Sequence, residues 1–148
     1  MKIIAGLLIA GGLLLTGVNN VNGQAIDPAR AMKMLKECYT AYNYTWATKK
    51  GTILQKKLDS LEQKYCTPQL ISKLKRMGPD YDLLAFNAYT DVQHLKTLTV
   101  TKDADQEDAY LISYINHSIT DSKPVDQKII IHVNVLEQPD GLKISSVK

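Results

Sequence analysis

Apolar residues are spaced in two different ways along the chain, three or four positions apart early and two positions apart late. The helical spacing first appears in a stripe that comprises Ala31, Met34, Leu35, Cys38, Tyr39, Tyr42 and Trp46. Two shorter stripes follow, which comprise Leu54, Leu58, Leu61 and Tyr65, then Leu70, Ile71 and Leu74. Such spacing lines up side chains on one face of a helix, so three amphipathic helices are predicted.

The residues at the ends of these stripes indicate where each helix begins and ends. Candidate N-caps are Asp27, Thr52 and Thr67, and proline follows the first and third of them, as is common in a first helical turn. Lys49-Lys50-Gly51 and Gly78-Pro79 are typical of helix ends. The first helix is therefore predicted over about residues 28–48. The charged residues of the second are predicted to form a solvated face, namely Lys56, Lys57, Asp59, Glu62 and Lys64.

The last third of the chain alternates between apolar and polar positions, which is typical of half-buried strands. Residues 95–101 predict a first strand, in which Leu98 and Val100 alternate with threonines. In the second strand Tyr110, Ile112 and Tyr114 alternate with Leu111, Ser113 and Ile115. In the long third strand Ile129, Ile131, Val133 and Val135 form one face, opposite Ile130, His132, Asn134 and Leu136. A final strand over residues 142–147 places Ile144 inward. Turns are predicted over residues 102–108, over 121–127 around Pro124, and at Gln138-Pro139-Asp140-Gly141. Helices first and an antiparallel meander afterwards predict an α+β fold of about four strands, with the N-terminal helices packed on one face of the sheet.

The first 23 residues have the organisation of a secretory signal peptide. Lys2 supplies a positive charge, and the apolar run over residues 3–15 is shorter than the ~20 residues of a membrane span. Cleavage is predicted after Gly23, with a cut after Ala25 as the alternative. An uncleaved membrane anchor is the competing interpretation, which the short run disfavours. We therefore predict a signal peptide over residues 1–23 and a single domain over residues 24–148, located in the periplasm or secreted.

The composition narrows the classes of partner. A net charge of +3 on 148 residues does not favour nucleic acid or an anionic membrane as a partner. No cysteine follows Leu15-Thr16-Gly17 to accept a lipid, so no stable membrane insertion is expected after cleavage.

Cys38 and Cys66 are the two cysteines of the chain. In an exported protein an even number of cysteines permits a disulfide, which here would join the first helix to the end of the second. The alternative is a pair of buried thiols that act as small apolar groups. The distance between the Cα atoms decides between them, and the sequence does not contain it.

Residues 80–91 are predicted to form a structured corner between the helical half and the strand half. Asp80 and Asp82 can accept hydrogen bonds from nearby backbone amides and so shape a turn. The apolar residues of the corner are predicted to pack under the helices, and they are Tyr81, Leu83, Leu84 and Phe86. The polar groups that could face a cavity are Asn87, Tyr89 and Asp91.

Three segments of the chain resemble the domain-of-unknown-function family 3828, a family of exported bacterial proteins. They are Lys64-Tyr65-Cys66-Thr67, Asp80-Tyr81-Asp82-Leu83-Leu84, and Asp91-Val92 followed by residues 95–100. The resemblance extends from about Cys38 to Ile144 and implies a cystatin-like or nuclear-transport-factor-like cone with a curved sheet. After Leu84 the chain has Ala85, Phe86, Ala88 and Tyr89, where the family has more acidic and amide residues. The family has no settled activity, so the resemblance implies shape and compartment rather than chemistry.

Few motifs with a known chemistry are present in the sequence. We find no glycine-rich phosphate loop, no nucleophile elbow and no His-Glu-x-x-His helix. His94, His117 and His132 are scattered and are interpreted as strand-end or surface residues rather than metal ligands. No catalytic residue, cofactor or metal site is therefore predicted.

Two functional hypotheses remain. The first is a non-enzymatic binding module in the cell envelope that recognises a protein or a small envelope ligand. The second is a small-ligand carrier or small enzyme with a pocket between helices and sheet, lined by Tyr81, Asp82, Asn87 and Asp91. Asp82 or Asp91 would then serve as the acid or base, whereas the competing interpretation is that Asp80 and Asp82 only cap a turn.

Overall fold

The computed structural model describes residues 25–77, 83, 92–120 and 123–148. Over these residues the elements in chain order are α1 (Pro28–Thr48), α2 (Gly51–Tyr65), α3 (Pro68–Met77), α4 (His94–Thr97), β1 (Thr99–Lys102), β2 (Ala109–Thr120), β3 (Lys123–Gln138) and β4 (Gly141–Val147). The four strands form one antiparallel sheet in the order β1-β2-β3-β4. Because the helices pack against this sheet, the predicted α+β fold is confirmed. The proposed signal peptide lies outside the described residues.

The ends of the first and third helices are those that local chemistry predicts. Asp27 caps α1, since its Oδ1 accepts a hydrogen bond from the Ala29 amide at 3.0 Å. Thr67 caps α3 in the same way, accepting from the Leu70 amide at 3.2 Å. The prediction that Thr52 caps α2 is wrong, because that helix begins one residue earlier at Gly51, without a side-chain cap. Gly51 has a φ of +56°, a conformation open to glycine that lets the chain pass from α1 into α2 within three residues.

The core lies between the apolar face of the helices and the inward face of the sheet. The helical stripe of α1 is buried at Ala31, Leu35, Cys38, Tyr39 and Tyr42. The alternating positions of the sheet meet it and are buried at Tyr110, Ile112, Tyr114, Ile131, Val133, Val135 and Ile144. Both spacings therefore bury most of the residues that the sequence indicated, while Met34, Trp46 and Ile129 are half-buried against the core.

The strand boundaries differ from the predicted ones in two places. Residues 94–97 form a helical turn, so β1 begins only at Thr99. The predicted turn over residues 121–127 is too long, because β3 already begins at Lys123 and contains Pro124. A proline is tolerated in a strand where its nitrogen faces an open edge, and this is its position in β3.

The outer edge of β4 is covered where α2 meets α3. Cys66 forms an isolated parallel bridge with Ile144, and the Thr67 amide donates to the Ile144 carbonyl at 2.9 Å. This contact holds the α2–α3 corner beside the β3–β4 turn. None of the helices in the described part of the chain is both long enough and apolar enough to span a membrane.

Candidate functional site

The four residues predicted to line a pocket do not fall within the described ranges. Tyr81, Asp82, Asn87 and Asp91 all lie in segments outside the structure's description, so their grouping stays a prediction. The described residue of that corner is Leu83, which is fully buried. Its carbonyl accepts a hydrogen bond from the Tyr39 hydroxyl at 2.9 Å. The corner is therefore attached to α1 at this point, as expected for residues that pack under the helices.

Both cysteines are buried and their thiols are free in the structure. Burial raises the pKa of Cys38 well above its ordinary value, and the nearby Cys66 adds a smaller effect in the same direction. Burial is the main cause that raises the pKa of Cys66 to about 12, and the Glu62 carboxylate adds to it. Lys143 acts in the opposite direction. Of the two alternatives, the structure has the pair of buried thiols, and the disulfide stays a prediction.

A polar surface surrounds Lys143 on β4. The side chain of Lys143 follows the edge of the sheet to the end of α2, where its Nζ donates to the Lys64 carbonyl at 2.7 Å. That carbonyl belongs to the last turn of the helix, where carbonyls lack a helical partner and a positive charge is favourable. Lys143 therefore caps α2 from a residue that is distant in sequence, and only 9% of Lys143 is exposed.

The tight turn between β3 and β4 supplies a counter-charge to Lys143. Asp140 lies in this turn, and its Oδ2 is 2.9 Å from Lys143 Nζ. The hydrogen bond from Lys143 holds the pKa of Asp140 below its ordinary value. Gly141 follows with a φ of +121°, which favours glycine and allows the strand to resume directly after the turn.

Two cavities open on either side of this ion pair. The larger, of about 600 Å³, is lined by Met34, Glu37, Gln63, Lys64, Tyr65, Asp140, Gly141, Leu142 and Lys143. The smaller, of about 430 Å³, is lined by Gln63, Cys66, Pro68, Ile71, Ser72, Gln138, Asp140 and Lys143. Gln63, Asp140 and Lys143 line both, so we treat the two cavities as one surface and call it the hairpin groove. Its volumes lie within the range of ~300–1,000 Å³ that is usual for ligand sites.

A second group of polar side chains lies inside the fold, between the helices and the sheet. The His94 ring stacks on Tyr114, with centroids 5.2 Å apart. The Tyr42 hydroxyl donates to Glu62 Oε1 at 3.4 Å. We refer to these two contacting pairs and to Tyr39, all of them buried, as the inner cluster.

The inner cluster corrects two predictions from the sequence. Glu62 was expected on the solvated face of α2, but it is buried, since it follows Leu58 by four positions and precedes Tyr65 by three. That spacing is a helical signal that could have located it. His94 was expected at a strand end or on the surface, but it begins α4 and is buried. No sequence signal locates His94, because its neighbour Tyr114 is twenty residues away.

Cys66 and Asp140 of the hairpin groove each keep one protonation state near neutral pH. A thiol with a pKa of about 12 stays protonated at neutral pH, and a carboxyl group whose pKa is lowered stays ionised. An acid or base catalyst works best with a pKa near the working pH. Within the described ranges, no group of three or more histidine, cysteine or acidic residues could hold a metal ion.

Comparison with known proteins supports the fold. No protein-family model matches the chain. No curated protein matches it either. The chain is similar to a crystal structure of a protein of unknown function from Bacteroides thetaiotaomicron, with a TM-score of 0.68 and 23% sequence identity. The similarity covers 82% of this chain and 90% of the other. At this identity the likeness shows the α+β fold alone, and the resemblance to family 3828 stays a prediction.

Proposed function

We propose that this protein is an exported, non-enzymatic binding module of the cell envelope, and that the hairpin groove is its binding surface. The observation that carries the proposal is the placement of Lys143, which lines both cavities. An ammonium has three N–H donors, and the Lys64 carbonyl and the Asp140 carboxylate occupy two of them. In this proposal the third donor binds an oxygen atom of a ligand.

The lining of the groove supports a ligand rich in oxygen atoms and amides. Gln63, Gln138 and Ser72 offer both donors and acceptors, and Pro68 and Ile71 add apolar surface. A few polar groups on a partly apolar concave surface are usual for binding sites. A segment of an envelope protein and a small envelope molecule both have this chemistry.

The part of the proposal that concerns the cell envelope is supported by the sequence. The signal-peptide pattern of the first 23 residues supports export. The weak net charge supports a partner other than nucleic acid.

The inner cluster favours a second candidate, a small-ligand carrier or small enzyme with a pocket between helices and sheet. His94, Glu62 and Tyr42 are groups that often contact ligands, and here all three are buried inside the fold. Asp82→Asn and Asp91→Asn test this candidate. If both variants lower only thermal stability and leave ligand binding unchanged, these residues are structural and the second candidate fails.

The experiment that tests the first candidate blocks the groove. Gln63→Trp adds a bulky side chain to an exposed position that lines both cavities. Gln55→Trp is the matched control, because it places the same side chain at an exposed position of the same helix that lines neither cavity. Each variant and the wild type would be immobilised and used to capture partners from a periplasmic extract of the native host, with and without crosslinking.

We expect the wild type and Gln55→Trp to retain the same partner and Gln63→Trp to lose it. Equal capture by all three proteins would place binding outside the groove. Reproducibly empty capture by the wild type, with and without crosslinking, would contradict the binding module itself.

A further inference from the structure

The hairpin of β2 and β3 extends beyond the rest of the sheet. These two strands pair continuously from Ala109 opposite Asn134 to Thr120 opposite Lys123. β1 pairs with β2 only up to Ser113, and β4 pairs with β3 only from Val133 onward. Residues 115–120 and 123–128 therefore form a two-stranded extension, which we call the β-arm. A two-stranded ribbon is only marginally stable in water by itself.

The two edges of the β-arm differ in whether another element lies beside them. On the β2 side, α4 lies against the base of the arm, and the Ile115 amide donates to Thr97 Oγ1 at 2.9 Å. On the β3 side, no strand in the described part of the chain lies beside residues 124–130. Ile130 is 48% exposed on this strand. The β3 edge is therefore the open one.

The direction of the backbone groups along this edge follows from the strand geometry. His132 exchanges two hydrogen bonds with Lys148 on the β4 side, at 3.0 and 2.9 Å. The Val135 amide instead donates toward the β2 side, to the Asp108 carbonyl. Because backbone groups alternate along a strand, the even-numbered residues Asp126, Lys128 and Ile130 direct their amides and carbonyls to the open edge.

The charges on the β3 edge of one copy are complementary to those on the β3 edge of a second copy in an antiparallel arrangement. Asp126 and Lys128 are two positions apart, so their side chains share one face of the strand. If a second β3 strand lies antiparallel with Gln127 opposite Gln127, each Asp126 lies opposite the Lys128 of the other copy. The same register places Ile130 opposite Pro124. Lysine at an edge ordinarily repels another strand, but here the neighbouring aspartate removes that repulsion.

We propose that two copies of this chain associate through their β3 edges, in the antiparallel register centred on Gln127. The register aligns outward-facing residues with one another, so Asp126 and Lys128 exchange backbone hydrogen bonds with their counterparts. The amide of Ile130 donates to the Pro124 carbonyl, and the missing amide of Pro124 removes one bond at each end. Six backbone hydrogen bonds and two ion pairs then join the copies. The Asp126 carboxylate, already 2.6 Å from His117 Nδ1, retains acceptor sites for the lysine.

The test uses the chain from Gln24 onward, which contains every described residue, in sedimentation equilibrium over a range of concentrations. The wild type is expected to show a twofold rise in weight-average mass as concentration increases. Asp126→Lys and Lys128→Glu each place like charges opposite one another and should weaken association about tenfold, as two cross-strand charge pairs change sign. The double variant Asp126→Lys with Lys128→Asp restores opposite charges and should restore the dimer. Lys57→Glu, on an exposed position of α2, controls for the change in net charge of Lys128→Glu.

Amide hydrogen exchange on the wild type tests the register without any substitution. The amides of Asp126, Lys128 and Ile130 should exchange more slowly at high protein concentration than at low concentration, because the second copy bonds them. A monomeric mass at every concentration would overturn the proposal. So would a dimer in which these amides stay unprotected, or one that the charge exchange fails to restore, since either result places the contact on another surface.

Discussion

The hydrogen bond from Tyr39 to Leu83 gives the sharpest test of how the fold is held together. Tyr39 lies on α1, and its hydroxyl donates to the buried Leu83 carbonyl at 2.9 Å. Tyr39→Phe keeps the ring and removes the hydroxyl, so this carbonyl loses its donor inside the core. Tyr110 provides a matched control, because it is equally buried and its hydroxyl has no hydrogen-bond partner in the described part of the chain.

The expected effects of the two substitutions have different sizes. A buried acceptor that loses its donor destabilises the folded state by ~1–3 kcal/mol. A carbonyl tolerates this better than an amide does, so we expect about 1–2 kcal/mol for Tyr39→Phe. For Tyr110→Phe we expect a change within about 0.5 kcal/mol or a slight gain, because a buried hydroxyl without a partner is removed. Burial already raises the pKa of Tyr110, with the Asp108 and Asp27 carboxylates adding to it.

The measurement is urea unfolding of the wild type and both variants, followed by circular dichroism and checked by thermal unfolding. At this chain length 1 kcal/mol corresponds to a change in Tm of roughly 3–6 °C. Tyr39→Phe should lower the unfolding midpoint without changing the slope, while Tyr110→Phe should leave the midpoint almost unchanged. Equal losses in the two variants would refute the reasoning, since they would show that the Tyr39–Leu83 bond adds nothing beyond ring packing.

Three further predictions concern the hairpin groove. Since the pKa of Cys66 is raised from 9.0 to about 12, the stability that it contributes is fully present below pH 9 and is lost as pH rises toward 12. Cys66→Ala should therefore show a shallower loss of stability over that range in urea unfolding, and an unchanged slope would contradict the assignment. Lys143→Met removes the donor of Asp140, so the pKa of that carboxyl should rise toward its ordinary value in an NMR titration, and an unmoved pKa would contradict the ion pair. Gly141→Ala should destabilise the fold by about 1–3 kcal/mol in urea unfolding, through its φ of +121° rather than a clash, because nothing lies within 4 Å of an added Cβ; a neutral result would exclude strain at this turn.

Local chemistry accounts for the elements that the sequence predicted well. Asp27 and Thr67 cap their helices through hydrogen bonds that span two or three residues. The alternation that places Ile131 and Ile144 inward likewise depends only on the geometry of a strand. Where the prediction was wrong, the competing effect was also local in two cases. Helix α2 begins at Gly51 with Lys50 at the N-cap, so Thr52 lies inside the helix, and residues 94–97 form a helical turn before β1.

The sequence by itself determined the order of the three long helices and the four strands, and hence the α+β fold. These depend on spacings within one element, and the physical rules for such spacings need no knowledge of distant residues. The tertiary structure alone decided that Lys143 caps α2, that His94 is buried, and that one edge of β3 is open. Each of these depends on which remote segments lie side by side, because burial and hydrogen bonding act over distances in space rather than along the chain.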